Sequence, residues 1–188
     1  MARPGAYDPL VLRRVRRSLL LLLALVTVSG CAYHIQGEPI AAPLPPLAIA
    51  TPRKTAGVDP CAIVTEKDLK PLGTLKFKPV PRTELANSCL YTLNEGSYVL
   101  VAVPYRSFDE SKKSQQSGRE IETSKHVTWL NCTKPSTDKD MVCTATIAVT
   151  RDESLMVALG MSGDATESKV TTALEPLRGE ALKRMPAA

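Results

Sequence analysis

The sequence predicts an α+β domain: a mainly antiparallel sheet of five or six strands, with an N-terminal and a C-terminal helix packed on it. Three observations carry this expectation. Short runs alternate apolar and polar residues with period two, as in Cys143, Ala145, Ile147 and Val149 set between threonines and one alanine, which marks half-buried strands. The stretch "DPCAIVTEKDLKPLG", residues 59–73, opens with helix-start chemistry. Finally, Val170, Leu174, Leu177, Ala181 and Met185 recur at helical spacing and define one apolar face.

The elements follow in order. Asp59 is a good N-cap because its side chain accepts from a free helix N–H, Pro60 suits the first helical position, and Gly73 is a stop signal. Thr65 to Asp68 can recap a second turn. "TLKFKP" (74–79) alternates Leu75 and Phe77 against Lys76 and Lys78, so a strand is expected there. "SCLYTL" (88–93) is the next strand, and Asn94-Glu95-Gly96 turns it into "YVLVAVPY" (98–105). Tyr98 to Val103 is apolar on both faces, which places that strand centrally, covered on both sides. Ser107 with Glu110 forms a capping box and Gly118 is a natural C′ residue, giving a surface helix over 108–117. Ile121, Val127 and Trp129 share one strand parity. With "CTATIAVT" and with Leu155, Val157, Leu159 and Met161 they make three more strands, consecutive and antiparallel because their connections are short. Asp164 with Glu167 is expected to cap the last helix and Pro176 to kink it.

Ahead of this domain, residues 58–188, lie two segments of different composition. Residues 1–18 carry five arginines against Asp8, and Leu19 to Val28 is apolar apart from Thr27. A basic start, a short greasy run and small residues at its end describe a secretory signal peptide, residues 1–30. The run is about half the length a spanning helix needs. "VSGC", Val28 to Cys31, resembles the bacterial lipobox. What that implies is cleavage before Cys31, a diacylglyceryl thioether on its sulfur, and attachment to the outer face of the cell membrane. "RRSLL" also resembles a twin-arginine motif, but arginine-rich leaders are common and the Sec route is the expectation. Residues 31–57 then hold the lipidated Cys31 and a Pro-rich tether. Pro39, Pro43, Pro45, Pro46 and Pro52 favour an extended chain, although Ile40, Leu44, Leu47 and Ile49 are greasier than a solvated linker requires.

Removing the leader also changes the charge. The whole chain has 24 Lys+Arg and 19 Asp+Glu, net +5; residues 1–30 take five Arg and one Asp, leaving 19 and 18, net +1. Nucleic-acid binding needs a basic footprint that releases counterions, so that class drops out.

A lipobox, a Pro-rich spacer, then "DPCAIVT" and a second cysteine in "SCLYTL" together resemble the actinobacterial cell-surface lipoproteins with an uncharacterised domain. That family opens its domain with an Asp-Pro-Cys-x-Leu-Leu-type helix and carries Cys-x-Trp on an early strand. Here Ile63-Val64 stand in for the leucines and Tyr91 for the tryptophan, while Cys132 and Cys143 follow no such pattern. The resemblance implies a surface lipoprotein of unassigned activity and supplies no catalytic residues. With Cys31 spent on lipid, Cys61, Cys89, Cys132 and Cys143 are an even set in an exported chain, which favours disulfides. Three pairings are possible, and Cys61 or Cys143 could equally be a buried free thiol. The expected pairing is Cys61–Cys89, which the resemblance suggests, with Cys132–Cys143 stapling the polar loop between them.

Catalytic constellations are poor. His34 lies three residues from the anchor, and His126, on the strand face opposite Val127 and Trp129, reads as a solvated or satisfied surface residue. The domain cysteines lack the clustered spacing of a zinc site, so no metal and no cofactor are expected. "GMSGD" (160–164) looks superficially like a nucleophile elbow but has the wrong spacing and precedes a helix. Asp109-Glu110 and Asp138/Asp140 read as solvated charges. Two functions follow: a non-enzymatic module that binds an envelope protein or lipid, which is the favoured reading, and an enzyme acting on an envelope substrate.

Overall fold

The computed structural model describes residues 47–134 and 140–188. The leader, Cys31, His34, Asp138 and the tether before Leu47 lie outside the described residues.

Two short helices open the domain, α1 (Pro60–Ile63) and α2 (Glu66–Leu69). The break between them is where Thr65 recaps. Its side chain and that of Asp68 bond reciprocally to each other's backbone N–H, a capping box. Strands β1 (Val80–Arg82), β2 (Ser88–Thr92) and β3 (Tyr98–Tyr105) follow, then helix α3 (Phe108–Ser114). Strands β4 (Arg119–Thr123), β5 (His126–Thr133), β6 (Met141–Ala148) and β7 (Ser154–Met161) lead to the C-terminal helix α4 (Glu167–Arg184).

Among the described residues these strands form one antiparallel sheet in the order β1-β2-β3-β7-β6-β5-β4. The chain lays down three strands, crosses by α3 to the far edge, and returns strand by strand until β7 pairs with β3. The α+β class is the expected one, but there are seven strands, not five or six. The expected strand containing Ile121, Val127 and Trp129 is a hairpin: β4 and β5 are joined by Ser124 and Lys125, both left-handed at φ 49° and 64°. A two-residue turn of that hand matches strand twist, but it usually announces itself with Asn or Gly. The expected strand over 74–79 is replaced by the later and shorter β1. Leu75 makes an isolated bridge to Leu93, and Phe77, expected inward by parity, is 61% exposed.

Alternate residues of the strands face two layers. One face carries Cys89, Tyr91, Val99, Val101, Cys143, Ala145, Val157 and Leu159, and it packs on α1, α2 and α4. From α4 come Val170, Leu174, Leu177, Ala181 and Leu182, and each of the larger ones contributes about 1.5–3 kcal/mol by leaving water. The helix runs unbroken through Pro176, and its N-cap is Thr166, whose side chain accepts from the Lys169 N–H, rather than Asp164. The other face is covered by α3, where Phe108, Trp129 and Ala148 cluster with Leu47 and Ile49. The strand buried on both faces is β7, from Ser154 to Gly160. β3 is interior but leaves Tyr98 and Leu100 half-buried, so the expectation of full cover fits its neighbour instead.

Helix α3 begins as expected, with the Ser107–Glu110 box, but ends at Ser114. Gly118 is not its left-handed C′ residue. A Cβ there would come within 2.4 Å of Trp129 Nε1, so glycine is required because the indole lies against the backbone.

The Pro-rich segment, assigned above to the tether as far as residue 57, is docked on the domain from Leu47 onward. Val127 N donates to Ala48 O at 2.7 Å, and Arg53 N to Val149 O at 3.1 Å. Lys54 N donates to Pro186 O at 2.8 Å and Ala188 N to Pro52 O at 2.9 Å, which ties the segment to the C-terminal tail. Two of the apolar residues that looked out of place in a linker, Leu47 and Ile49, are contact residues that pack on the α3 cluster, while Ile40 and Leu44 lie outside the described residues.

Candidate functional site

The most distinctive surface stands on a braced corner where α1 and α2 meet the β2 edge. Asp59 Oδ1 accepts from Cys61 N at 2.8 Å and starts α1. Cys61 is bonded to Cys89 of β2, with Cα atoms 5.1 Å apart. Two residues along, Tyr91 donates its hydroxyl proton to Pro60 O at 2.9 Å. Burial pushes that phenol up to about 12, against a smaller lowering from a backbone hydrogen bond of Val64. Disulfide and phenol thus hold α1 to β2 at two points.

From this base the chain runs out along the sheet edge. Gly73 takes φ 133°, a conformation that L side chains rarely adopt, and so turns the chain after α2. Asn94 N donates to Thr74 O at 2.9 Å and Lys76 N to Thr92 O at 2.8 Å, fixing both sides of Leu75. Beyond Lys76 the chain faces water. Phe77 is 61% and Val80 52% exposed, and Lys76 Nζ lies 5.4 Å from the Phe77 ring centroid. A cleft of about 530 Å³ opens beside this segment, lined by Lys67, Leu69, Lys70, Thr74 and Leu75 among others. Sequence reasoning missed the surface because alternation assigned Phe77 to the core. The signal that could have found it is Pro79 and Pro81 flanking Val80, which keep this stretch at a sheet edge.

The residues singled out by sequence stand apart from one another. Cys132 and Cys143 are bonded as directly opposed partners on β5 and β6, distant in sequence from Cys61–Cys89. His126 is buried rather than at the surface. Its Nδ1 lies 2.8 Å from Ala148 O, so that nitrogen carries the proton and donates to the carbonyl. The expectation failed because the docked chain adds a strand-like bridge, Ile49 to His126, at what would otherwise be the open start of β5. Glu110 is occupied in capping α3, accepting from Ser107 N at 3.1 Å beside Asp109. Asp140 is half-buried at the start of the chain leading into β6. Lys112 of the polar "KKSQQSGRE" run pairs with Glu120 at 2.8 Å and lies over the Trp129 ring. Gly160 of "GMSGD" sits under the Tyr98 ring, where a Cβ would come within 2.2 Å.

Among the described residues, no group of three or more His, Cys, Asp or Glu side chains stands together so as to hold a metal ion. Nor is any helix long and apolar enough to cross a membrane. No protein-family model, curated protein or solved structure matches the chain.

Proposed function

We propose that the protein is an extracytoplasmic lipoprotein, exported by Sec and held to the outer face of the cell membrane by diacylglycerol on Cys31. Its domain is then a non-enzymatic binding or envelope-associated module. The observation that carries the reading is the state of the cysteines. The four among the described residues are joined as Cys61–Cys89 and Cys132–Cys143. Structural disulfides are a property of oxidising, exported compartments. The fifth cysteine of the sequence is Cys31, preceded by Val28-Ser29-Gly30. Its thiol is the one left to accept a lipid.

The competing reading, an enzyme acting on an envelope substrate, would need titratable groups free to converge on a cleft. The candidates are otherwise engaged: His126 with the Ala148 carbonyl and Glu110 with the α3 cap. The test of the anchor is a fatty-acid label. Wild-type protein is expected in the membrane fraction, labelled and processed, and Cys31→Ser is expected to accumulate as unlabelled precursor. A Cys31→Ser protein that is still processed and labelled overturns the reading. Stoichiometric labelling of one serine by a fluorophosphonate would instead establish the enzyme.

A further inference from the structure

We propose that the exposed edge from Lys76 to Val80, with Lys67 and Lys70 beside it, docks on an anionic phospholipid surface: Phe77 and Val80 enter the headgroup layer while the lysines meet the phosphates. The inference deepens the lipoprotein reading and rests on it for the presence of a bilayer.

Charge is the first support. From Lys67 to Arg82 the sequence has five cations and one acid, Asp68. That acid is held by Arg184 at 2.6 Å, and Arg82 is paired with Glu84 at 3.1 Å. Lys67, Lys70, Lys76 and Lys78 make no ion pair among the described residues. The carboxylates beside the cleft that Lys67 and Lys70 share are Glu66 on its wall and Glu95, which accepts from Thr74 N at 3.3 Å. In a mature chain of net +1, four unpaired lysines on one edge are a local concentration and not a general property of the surface.

Apolar exposure is the second. Among the described residues, Phe77 and Val80 are the large hydrophobic residues that stand out to solvent, and they alternate with the cations along one run. Aromatic and aliphatic tips between lysines suit a bilayer interface, where acyl chains lie just below phosphates. An anionic polymer would use the lysines but would leave Phe77 and Val80 in water. Pairing of β1 with a second copy of the chain is opposed by its length of three residues and by Pro81 at its centre, which offers no N–H.

Reach is the third. Sixteen residues, Cys31 to Pro46, separate the anchor from the docked chain, and they can extend up to about 55 Å. The docked segment enters beside β5 and the lysine edge is β1, five strand spacings away, or about 24 Å. The anchor therefore permits the β1 edge to lie on the same membrane.

The test is hydrogen exchange of the amides from Phe77 to Val80 in the purified lipidated protein, mixed with an excess of vesicles. Vesicles of phosphatidylglycerol and phosphatidylcholine in equal parts are expected to slow exchange about tenfold or more, and pure phosphatidylcholine to leave it unchanged. Each lysine near an anionic surface strengthens binding about fivefold, so Lys76→Glu with Lys78→Glu is expected to abolish the protection, as is Phe77→Ser. Equal protection on both lipids, protection unaltered by these substitutions, or no protection at all overturns the proposal. So does protection without vesicles accompanied by a doubled mass, which would assign the edge to a second copy. The same mixture serves a chain that carries no lipid on Cys31, so failure of the anchor is read from the label and failure of the edge from exchange.

Discussion

Arg184, in the last turn of α4, grips Asp68 of α2 with both ends of its guanidinium. Nη1 lies 2.6 Å from Oδ2 and Nη2 2.9 Å from Oδ1. The same Nη1 donates to Ile63 O at 2.8 Å, a carbonyl at the end of α1. One side chain from the far end of the domain therefore satisfies both opening helices, which are too short to hold themselves. Asp68 in turn caps α2 through Thr65 N at 2.8 Å.

The first prediction concerns that carboxylate. Burial works to raise the Asp68 carboxyl, yet hydrogen bonds from Arg184 and Thr65 outweigh it and hold it below the usual carboxylate range. A lowered folded value means that the stabilisation is complete above the unfolded value and lost as pH falls through the folded one. Asp68→Asn is expected to cost about 2 kcal/mol at neutral pH. Urea unfolding checks this, and the difference from wild type should shrink as the pH falls below the unfolded carboxylate value of about 4.

Tyr91 gives the opposite sign. Its folded value of about 12, raised by burial, lies above the unfolded value of about 10. The phenol's contribution is therefore present below pH about 10 and lost as pH rises through about 12. In an ultraviolet titration Tyr91 should ionise late, near pH about 12. Tyr91→Phe should remove that late step and cost about 1 kcal/mol, because Pro60 O loses its donor.

Gly118 offers a test with a built-in reporter, since Trp129 is the chain's one tryptophan. Trp129 Nε1 donates to Gln115 O at 3.0 Å, and an alanine Cβ at 118 would meet the ring at 2.4 Å. Gly118→Ala is expected to destabilise by about 1–3 kcal/mol through overpacking. Its tryptophan emission should shift to the red as the indole is displaced toward water. Unchanged emission and stability would show that the indole does not depend on this glycine.

What could be read from sequence were features written in local chemistry. Asp59-Pro60, the Thr65–Asp68 and Ser107–Glu110 boxes and left-handed Gly96 each place a boundary through a side chain's own bonding or a backbone's own freedom. Periodicity was enough for β6, β7 and the buried face of α4. The Ser124-Lys125 turn was not legible, because its left-handed backbone is imposed by the strands it joins. His126 looked exposed because the residue that bridges to it, Ile49, lies 77 positions earlier in a segment composed like a linker. Phe77 was misassigned for a related reason: alternation records which side a residue occupies, and only the tertiary fold says whether anything covers that side. The lysine edge was therefore hidden behind a strand pattern, over 74–79, that the fold does not form.

The docked Pro-rich segment sets how the domain responds to force. A pull on the chain ahead of Leu47 meets its first resistance at the bond of Ala48 O to Val127 N. The next are those of Arg53 to Val149, Lys54 to Pro186 and Pro52 to Ala188. These bonds are spaced along the segment, so a pull loads them one after another, as a zip does. The fourteen residues from Leu47 to Pro60 would then reach about 50 Å at full extension. At Cys61 the run ends, because the chain is covalently tied to β2 through Cys89. Peeling from the N-terminal side thus goes no further than the Cys61–Cys89 bond.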